Sequence, residues 1–491
     1  MDAYSITRVA QSMAAIRDYI DAETDKSASS VLGRTSGFWQ VEFAARPNYP
    51  SVSDFLAFRR EGFTHGMADG FSFDLKDARK QNLAREEAHA RATCEIFRQS
   101  ADPKRIAALD EAALGAPFIF ENHGVHRSAS FWTNAVTALR VQDILAVGGR
   151  SGRALNILEI GAGWGCMAHQ LHQLLDVRSY AIVDLSENLF LSTTFVSATR
   201  GLKLQFASGA PNAILTEPKS LLCSVPGAVS AIGQKFDVVV NTFSLQEMEL
   251  DTVQGYFAWV ASILAEDGQF ISFNSHGKAG VHAPSDYPLE QFHLDHLGMF
   301  RDYPSGLLNT IPYEMVLSRR NDRPQADPAL LNTLCCLLQF GLGDDLKPVC
   351  DAFTRHALAP EIEGALRDLT GFFSKSLPRR AAALSDRVAA ALPVIHAYLL
   401  GTEAFARGDK SAARSALEKA LDAGLKGFAR LRASAMLAIV TKQKTLPKWA
   451  VDFDARLAYP ELALILDESN MSQFSAQFDR IVSVELPDRK A

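Results

Sequence analysis

The chain has 491 residues, too many for one ordinary domain core, and two or three domains are expected. Hydrophobic residues make up 47% and charged residues 22%, an ordinary soluble globular composition. A formal net charge of -6 gives no electrostatic reason to expect a nucleic-acid partner.

From 1 to about 110 the pattern is mostly helical. "SITRVAQSMAAIRDYIDA" places apolar residues at three- and four-residue spacing. It is amphipathic, carries acids and lacks the basic and apolar regions of a signal peptide, so a cytosolic protein is expected. No run of about 18 apolar residues occurs, so no membrane span is expected. Pro47 and Pro50 break the next stretch, and a helix resumes after Ser51 and Ser53. "DLKDARKQNLAREEAHARATCEIFRQS" predicts a long charged surface helix with both signs interspersed.

From about 115 to 322 strand and helix patterns alternate. "NILEIG", "SYAIVDL", "KLQFA", "FDVVVNTF" and "GQFISFN" read as strands, with "CMAHQLHQLL" and "VQGYFAWVASILAED" among the helices. Apolar runs between amphipathic helices predict an α/β fold, a parallel sheet covered on both faces. The Pro-, Gly- and Ser-rich stretch from Ala207 to Lys235 is expected to hold a loop or an extra short helix. Beyond 322 the pattern is helical again. Residues 396–424 look like a single tetratricopeptide helix pair, so 323–491 are expected to form a small helical domain that could recruit a protein partner.

The six cysteines, Cys94, Cys166, Cys223, Cys335, Cys336 and Cys350, show no zinc-ligand spacing and are expected to be reduced and mostly buried. "HLDH" at 293–296 carries His293, Asp295 and His296. Read as a helix, this spacing does not put all three on one face, and no metal site is expected.

Strand "NILEI" runs straight into Gly161, Gly163 and Gly165, and a helix follows. Strand, glycine turn and helix make a nucleotide-binding unit, because absent side chains let backbone approach a ligand. A dinucleotide loop has G-x-G-x-x-G, but here the third glycine comes one position early and Cys166 fills its slot. The pattern is E-x-G-x-G-x-G, beginning at Glu159, and a second strand ends in Asp184. An acid there can accept hydrogen bonds from both ribose hydroxyls, a feature shared with NAD enzymes, or it can cap the next helix.

The glycine loop resembles the first motif of class I S-adenosylmethionine-dependent methyltransferases. That resemblance implies a Rossmann-like methyltransferase domain, S-adenosylmethionine as cofactor and Glu159 orienting its ammonium group. Many such enzymes carry an acid after the third strand that meets the adenine amine. "LQFASGAPN" offers Ser208 and Asn212 but no acid. Asn241, Ser244, Glu247, Met248, Tyr256 and Phe257 give N-x-x-S-x-x-E-M followed by Y-F. With "DLSE" at 184–187 and "FISFN" ending in Asn274, this resembles the sugar O-methyltransferase family of bacterial glycan biosynthesis. The resemblance covers roughly 115–280, with an echo in "SGFW" near 36. It implies an O-methyltransferase acting on a sugar or on a nucleotide- or lipid-linked glycan. Glu159, Gly161, Gly163, Gly165, Asp184, Leu185, Asn241 and Ser244 are then expected at the cofactor.

A sugar hydroxyl is a poor nucleophile at neutral pH, so a positioned base is expected. Glu247, just past the fourth strand, is the first choice. His276, after the fifth, is second, and His126 could reach over as part of a lid. Each has a structural alternative: Glu247 as a loop-ordering cap, the histidines as ordinary loop residues. Trp132, Trp164 and Trp259 are sugar-stacking candidates or simply core. The rivals are a methyltransferase for another acceptor, a non-catalytic scaffold with the same fold and, more distantly, a dehydrogenase.

Overall fold

The computed structural model describes residues 3–28, 30–36, 39–40, 49–61, 103–208, 219–276, 287–288, 291–299, 311–319, 386–423 and 425, with isolated positions between 87 and 94, 361 and 369, and 433 and 441. Its residues fall into two compact units, Met1–Asn274 with Ala279–Val281, and Ser275–Lys278 with His282–Ala491. Most of the charged helix expected over 74–100 lies outside the described residues, as does Asn212.

The first unit is built on six parallel strands. Their ranges are β3 (Leu155–Ile160), β4 (Val177–Val183), β5 (Lys203–Phe206), β6 (Ser220–Ser224), β7 (Phe236–Thr242) and β8 (Leu264–His276). The order across the sheet is β5-β6-β4-β3-β7-β8, and every pair is parallel. Parallel strands buried on both faces need apolar side chains on both, and Ile157, Leu158, Val238, Val239 and Val240 are fully buried. Helices α4 (Ala129–Val147), α5 (Cys166–Leu174), α6 (Ser186–Arg200) and α7 (Leu250–Ile263) connect or precede these strands. The chain goes from β3 to β4 on one side, while β7 lies on the other side of β3. This is a Rossmann-like α/β fold with its switch point between β3 and β7, where such sheets bind ligands.

One strand expectation is corrected. "KLQF" is a strand as expected, at the sheet's edge. The neighbour of β4 is β6, within the stretch expected to be a loop. Ser220–Ser224 is short and wholly buried, so packing decides its conformation, and it registers Tyr180↔Leu221 through Val183↔Ser224. A 3-10 turn over Pro226–Ala231 follows it.

The N-terminal elements belong to the same unit. They are α1 (Ala3–Ala28), a 3-10 turn over Val31–Gly33, α2 (Val52–Glu61) and α3 (Pro103–Ala107), and the hairpin β1 (Phe120–Asn122) and β2 (Val125–Arg127) precedes α4. Ser51 starts α2 as expected: its Oγ accepts from Asp54 N–H at 3.2 Å, and Asp54 accepts Ser51 N–H at 2.9 Å.

The second unit holds β9 (Phe292–Met299) and β10 (Ile311–Arg319), paired antiparallel. The "HLDH" segment is therefore strand, not helix. Helices α8 (Asp386–Ala391), α9 (Pro393–Ala406) and α10 (Lys410–Asp422) follow. Asp409 caps α10 by accepting Ala412 N–H at 3.0 Å, after a turn at Gly408, whose φ is +76°. A Cβ at Gly401 would lie 2.7 Å from Leu417 Cγ, so glycine lets the two helices of this hairpin close up. Among the described residues no helix is long and apolar enough to cross a membrane.

Candidate functional site

The glycine loop leaves β3 at the switch point. Gly161 has φ +75°, and its N–H donates to Val183 O at 2.9 Å, tying the loop to the end of β4. A Cβ at Gly161 would collide with the Ser244 side chain. Gly163, with φ +58°, donates its N–H to Asp184 Oδ2 at 2.9 Å. Gly165, with φ +91°, starts α5, and a Cβ there would lie 2.8 Å from Val196 Cγ2 and 2.9 Å from Ser192 O. The third glycine thus serves helix packing, whereas the first keeps the loop close to the β7 turn.

Two carboxyls stand beside this loop. Glu159 is fully buried on β3 and accepts the Tyr180 hydroxyl at 2.8 Å on Oε2. Its Oε1 has no hydrogen-bond partner among the described residues. Burial pushes the Glu159 pKa up to about 8, the Tyr180 hydrogen bond pulls it down, and the charge of Asp184 adds to the rise. Asp184, 6% exposed, accepts Gly163 N–H on Oδ2 and Leu185 N–H, at 2.8 Å, on Oδ1. Asn188 Nδ2 donates to the same Oδ1 at 3.3 Å, so Asp184 does order the start of α6. Burial raises its pKa to about 7, and these three donors offset part of that rise. These donors take both acceptor positions of Oδ1 and one of Oδ2, so one position on Oδ2 is left.

Across the switch point, β7 ends in a buried amide network. Asn241 Nδ2 donates to Ile160 O at 2.9 Å and to Ser244 Oγ, and Ser244 Oγ donates to Ile160 O at 3.2 Å. Asn274 Nδ2 donates to Asn241 Oδ1 at 3.1 Å, and its Oδ1 accepts Gln246 N–H at 3.1 Å. The ends of β3, β7 and β8 are thereby locked together. Between Asn241 and Ser244, Phe243 has φ +56°, an uncommon conformation for a bulky side chain, and its N–H donates to Phe273 O at 2.7 Å. Such strain persists where surrounding contacts over-determine it. Glu247 closes the 3-10 turn Leu245–Glu247, is half-buried, and donates its N–H to Ser244 O at 3.0 Å.

The structure therefore brings Glu159, Gly161, Gly163, Gly165, Asp184, Leu185, Asn241 and Ser244 to one end of the sheet, with Glu247 on the adjoining turn. It does not bring every expected residue there. His126 is exposed on the β1–β2 hairpin opposite Glu121 and takes no part in these networks. His276 ends β8, and its side chain lies outside the described residues. Trp132 is buried in α4, packed edge-on against Phe131 at 5.3 Å, so it is core. Trp259 is half-buried on α7 beside Tyr256. His293 and Asp295 are bonded to each other at 2.9 Å, and Ser318 Oγ donates to Asp295 at 3.2 Å. The His296 side chain lies outside the described residues. Among the described residues no cluster could hold a metal ion.

Trp164, inside the loop itself, is 5% exposed and packs on Phe195 at 4.9 Å, so it is a loop anchor and offers no stacking surface. The guanidinium of Arg59 lies 4.5 Å over its ring. Arg59, fully buried on α2, also donates to Glu111 Oε1 at 2.6 Å, Ser128 Oγ at 2.7 Å and Ala112 O at 3.0 Å. Sequence reasoning missed this buttress and the Tyr180 hydroxyl. Neither stands in a motif, and both depend on long-range contact.

The chemistry of this donor set fits an adenosyl sulfonium cofactor. Two carboxyls flank the loop, one with a buried oxygen still unpaired, and 159–167 contain no Lys or Arg. The two acids attract a cationic ligand once ionised, and the loop offers a pyrophosphate no Lys or Arg. Asp184 keeps one acceptor position on Oδ2 that suits a hydroxyl.

No family model matches the chain, and no curated protein matches it. Among solved structures it is similar to the N-methyltransferase NodS from Bradyrhizobium japonicum, at 13% identity over 39% of this chain and 98% of that one, TM-score 0.28. It is similar also to magnesium protoporphyrin IX methyltransferase from Synechocystis with bound S-adenosylmethionine, at 13% identity over 47% and 97%, TM-score 0.27. A third is an S-adenosylmethionine-dependent methyltransferase from Clostridium acetobutylicum, at 12% identity over 38% and 92%, TM-score 0.27.

Proposed function

We propose that this chain transfers a methyl group from S-adenosylmethionine to a hydroxyl of a sugar or of a nucleotide- or lipid-linked glycan. The observation that carries the cofactor assignment is the glycine loop clamped between Asp184 and Ser244, with two buried carboxyls beside it and no cation in it. The glycan acceptor rests on the resemblance of the β7 segment, N-x-x-S-x-x-E-M, to sugar O-methyltransferases.

When bound, the cofactor supplies an electrophilic methyl on a sulfonium. The chain's part is to bind, orient and remove a proton. Asp184 accepts a hydrogen bond from one ribose hydroxyl at the position left on Oδ2. Glu159, through Oε1, balances the charge of the ammonium, directly or through a water. The Asn241–Ser244–Asn274 network holds the loop at one distance from the β7 turn. In this reading Glu247, on the turn after β7, accepts the acceptor's hydroxyl proton as the methyl is transferred, which contributes about 10²–10⁴-fold where a base is well positioned. His276 and His126 stay second and third choices for that proton. The three-part division at 114/115 and 322/323, a cytosolic setting, and a tetratricopeptide-like role for the α9–α10 hairpin in recruiting a protein partner belong to the same proposal.

The test is transfer of labelled methyl from S-adenosylmethionine to a panel of nucleotide sugars and sugar lipids. Label should appear in a sugar, and Glu247→Gln should lose it by about a hundredfold or more with cofactor binding retained. Label on an amine would replace the acceptor class. Cofactor binding without transfer to any acceptor would favour a scaffold.

A further inference from the structure

Helix α7 brings a buried hydroxyl within electrostatic reach of the acid at the end of β4. The helix starts just past the Glu247 turn, at the ligand-binding end of the sheet. Phe257 packs toward the sheet, its ring 5.4 Å from that of Phe270 on β8. The N-terminal segment covers the first two turns: Thr252 Oγ1 donates to Val31 O at 3.1 Å, and a Cβ on Gly255 would lie 2.7 Å from Leu32 Cδ2. Tyr256, between Gly255 and Phe257, is only 3% exposed, and its ring stands edge-on to Trp259 at 6.2 Å. Among the described residues its hydroxyl has no hydrogen-bond partner. The charged group it does meet is Asp184, which raises the hydroxyl's pKa behind the larger effect of burial. The hydroxyl therefore stays neutral, able to accept a hydrogen bond and to give one.

Asp184 lacks the capacity for a whole diol. Gly163, Leu185 and Asn188 leave it one acceptor position on Oδ2, enough for one ribose hydroxyl, whereas a ribose carries two side by side. A ligand hydroxyl that is buried unpaired gives up its water for nothing and weakens binding. A buried phenol hydroxyl without a partner carries the matching cost in the empty protein. One hydrogen bond between the two removes both costs. Resting on the adenosyl cofactor proposed above, we infer that Tyr256 holds the second ribose hydroxyl, so that the diol is shared between the carboxylate at the end of β4 and a phenol supplied by α7. Tyr256 is then a cofactor-binding residue that belongs neither to the glycine loop nor to a strand end.

The test is calorimetric titration of the full chain, wild type and Tyr256→Phe, with S-adenosylhomocysteine and with its 2′-deoxy and 3′-deoxy analogues. Wild type should lose about tenfold with each analogue. Tyr256→Phe should bind the parent compound about tenfold more weakly, and one of the two analogues should then cost it nothing further, because that analogue lacks the hydroxyl Tyr256 held. Without ligand the variant should unfold at the wild-type temperature or above it, since it no longer buries an unpaired hydroxyl; a merely structural tyrosine would lower that temperature and leave the analogue ratios alone. Unchanged affinity for the parent compound in Tyr256→Phe, or a full loss with both analogues in the variant, overturns the inference. Should the variant not fold, wild type decides: a loss with each analogue supports a second partner for the diol, and indifference to either missing hydroxyl overturns it. Failure of folded wild type to bind S-adenosylhomocysteine removes the adenosyl reading and this inference with it.

Discussion

The two sides of the switch point are built differently. At the ends of β3 and β4 the large side chains are buried and wired: Glu159 to Tyr180, Asp184 to three donors, Trp164 between Arg59 and Phe195. At the end of β7 the backbone is equally fixed, through Asn241 and Asn274, but the side chains of Phe243, Ser244 and Glu247 are only half-buried. The first side suits a ligand that is always the same. The second offers a rigid base with accessible side chains, which suits an acceptor that differs between enzymes of one fold. Substitutions on the wired side should therefore cost folding and cofactor binding together, and those on the open side chiefly transfer.

Arg59→Met should break the wired side most. It leaves Glu111 buried without its cation and removes the support under Trp164, so denaturant unfolding should show a loss of about 3–5 kcal/mol. A loss below about 1 kcal/mol would show that the loop stands without α2. Gly161→Ala comes next, because it puts a side chain at positive φ against Ser244. About 2 kcal/mol of stability should go, together with cofactor binding measured by calorimetry, while Glu247→Gln leaves both nearly unchanged. The smallest effect sharpens the contrast through pH. The pKa values of Glu159 and Asp184 are raised in the fold, to about 8 and about 7. Their contribution to stability is therefore fully present below about pH 4, where the unfolded chain also holds these protons, and is lost as pH rises through those values. Cofactor binding should run the opposite way, since ionised carboxyls accept hydroxyls and face an ammonium. It should tighten by about tenfold between pH 6 and 8, and Asp184→Asn should flatten that slope. A slope that survives in Asp184→Asn would assign the titration elsewhere.

The wired side was largely legible in the sequence because local rules govern it. A buried strand, three glycines needing positive φ and an acid at the next strand end are short-range patterns, and all fall where the spacing puts them. Legibility ends where packing decides. "SLLCS" has the length of a strand and the flanks of a loop, and only burial beside β4 makes it β6. "HLDH" has no periodicity strong enough to exclude a helix, and pairing with β10 makes it strand. Arg59, Tyr180 and Tyr19 reach Trp164, Glu159 and Ala207 across 105, 21 and 188 residues of sequence, and no local signal marks such a contact.

The most direct measurement is calorimetric titration of the full chain with S-adenosylhomocysteine and, in parallel, NAD, repeated with Asp184→Ala. Wild type should bind the adenosyl compound and ignore the dinucleotide, and the variant, titrated at a temperature where its circular dichroism shows it folded, should lose at least about tenfold in affinity. Preference for NAD, or binding of the adenosyl compound that is indifferent to Asp184, would contradict a sulfonium-cofactor site at the ends of β3 and β4.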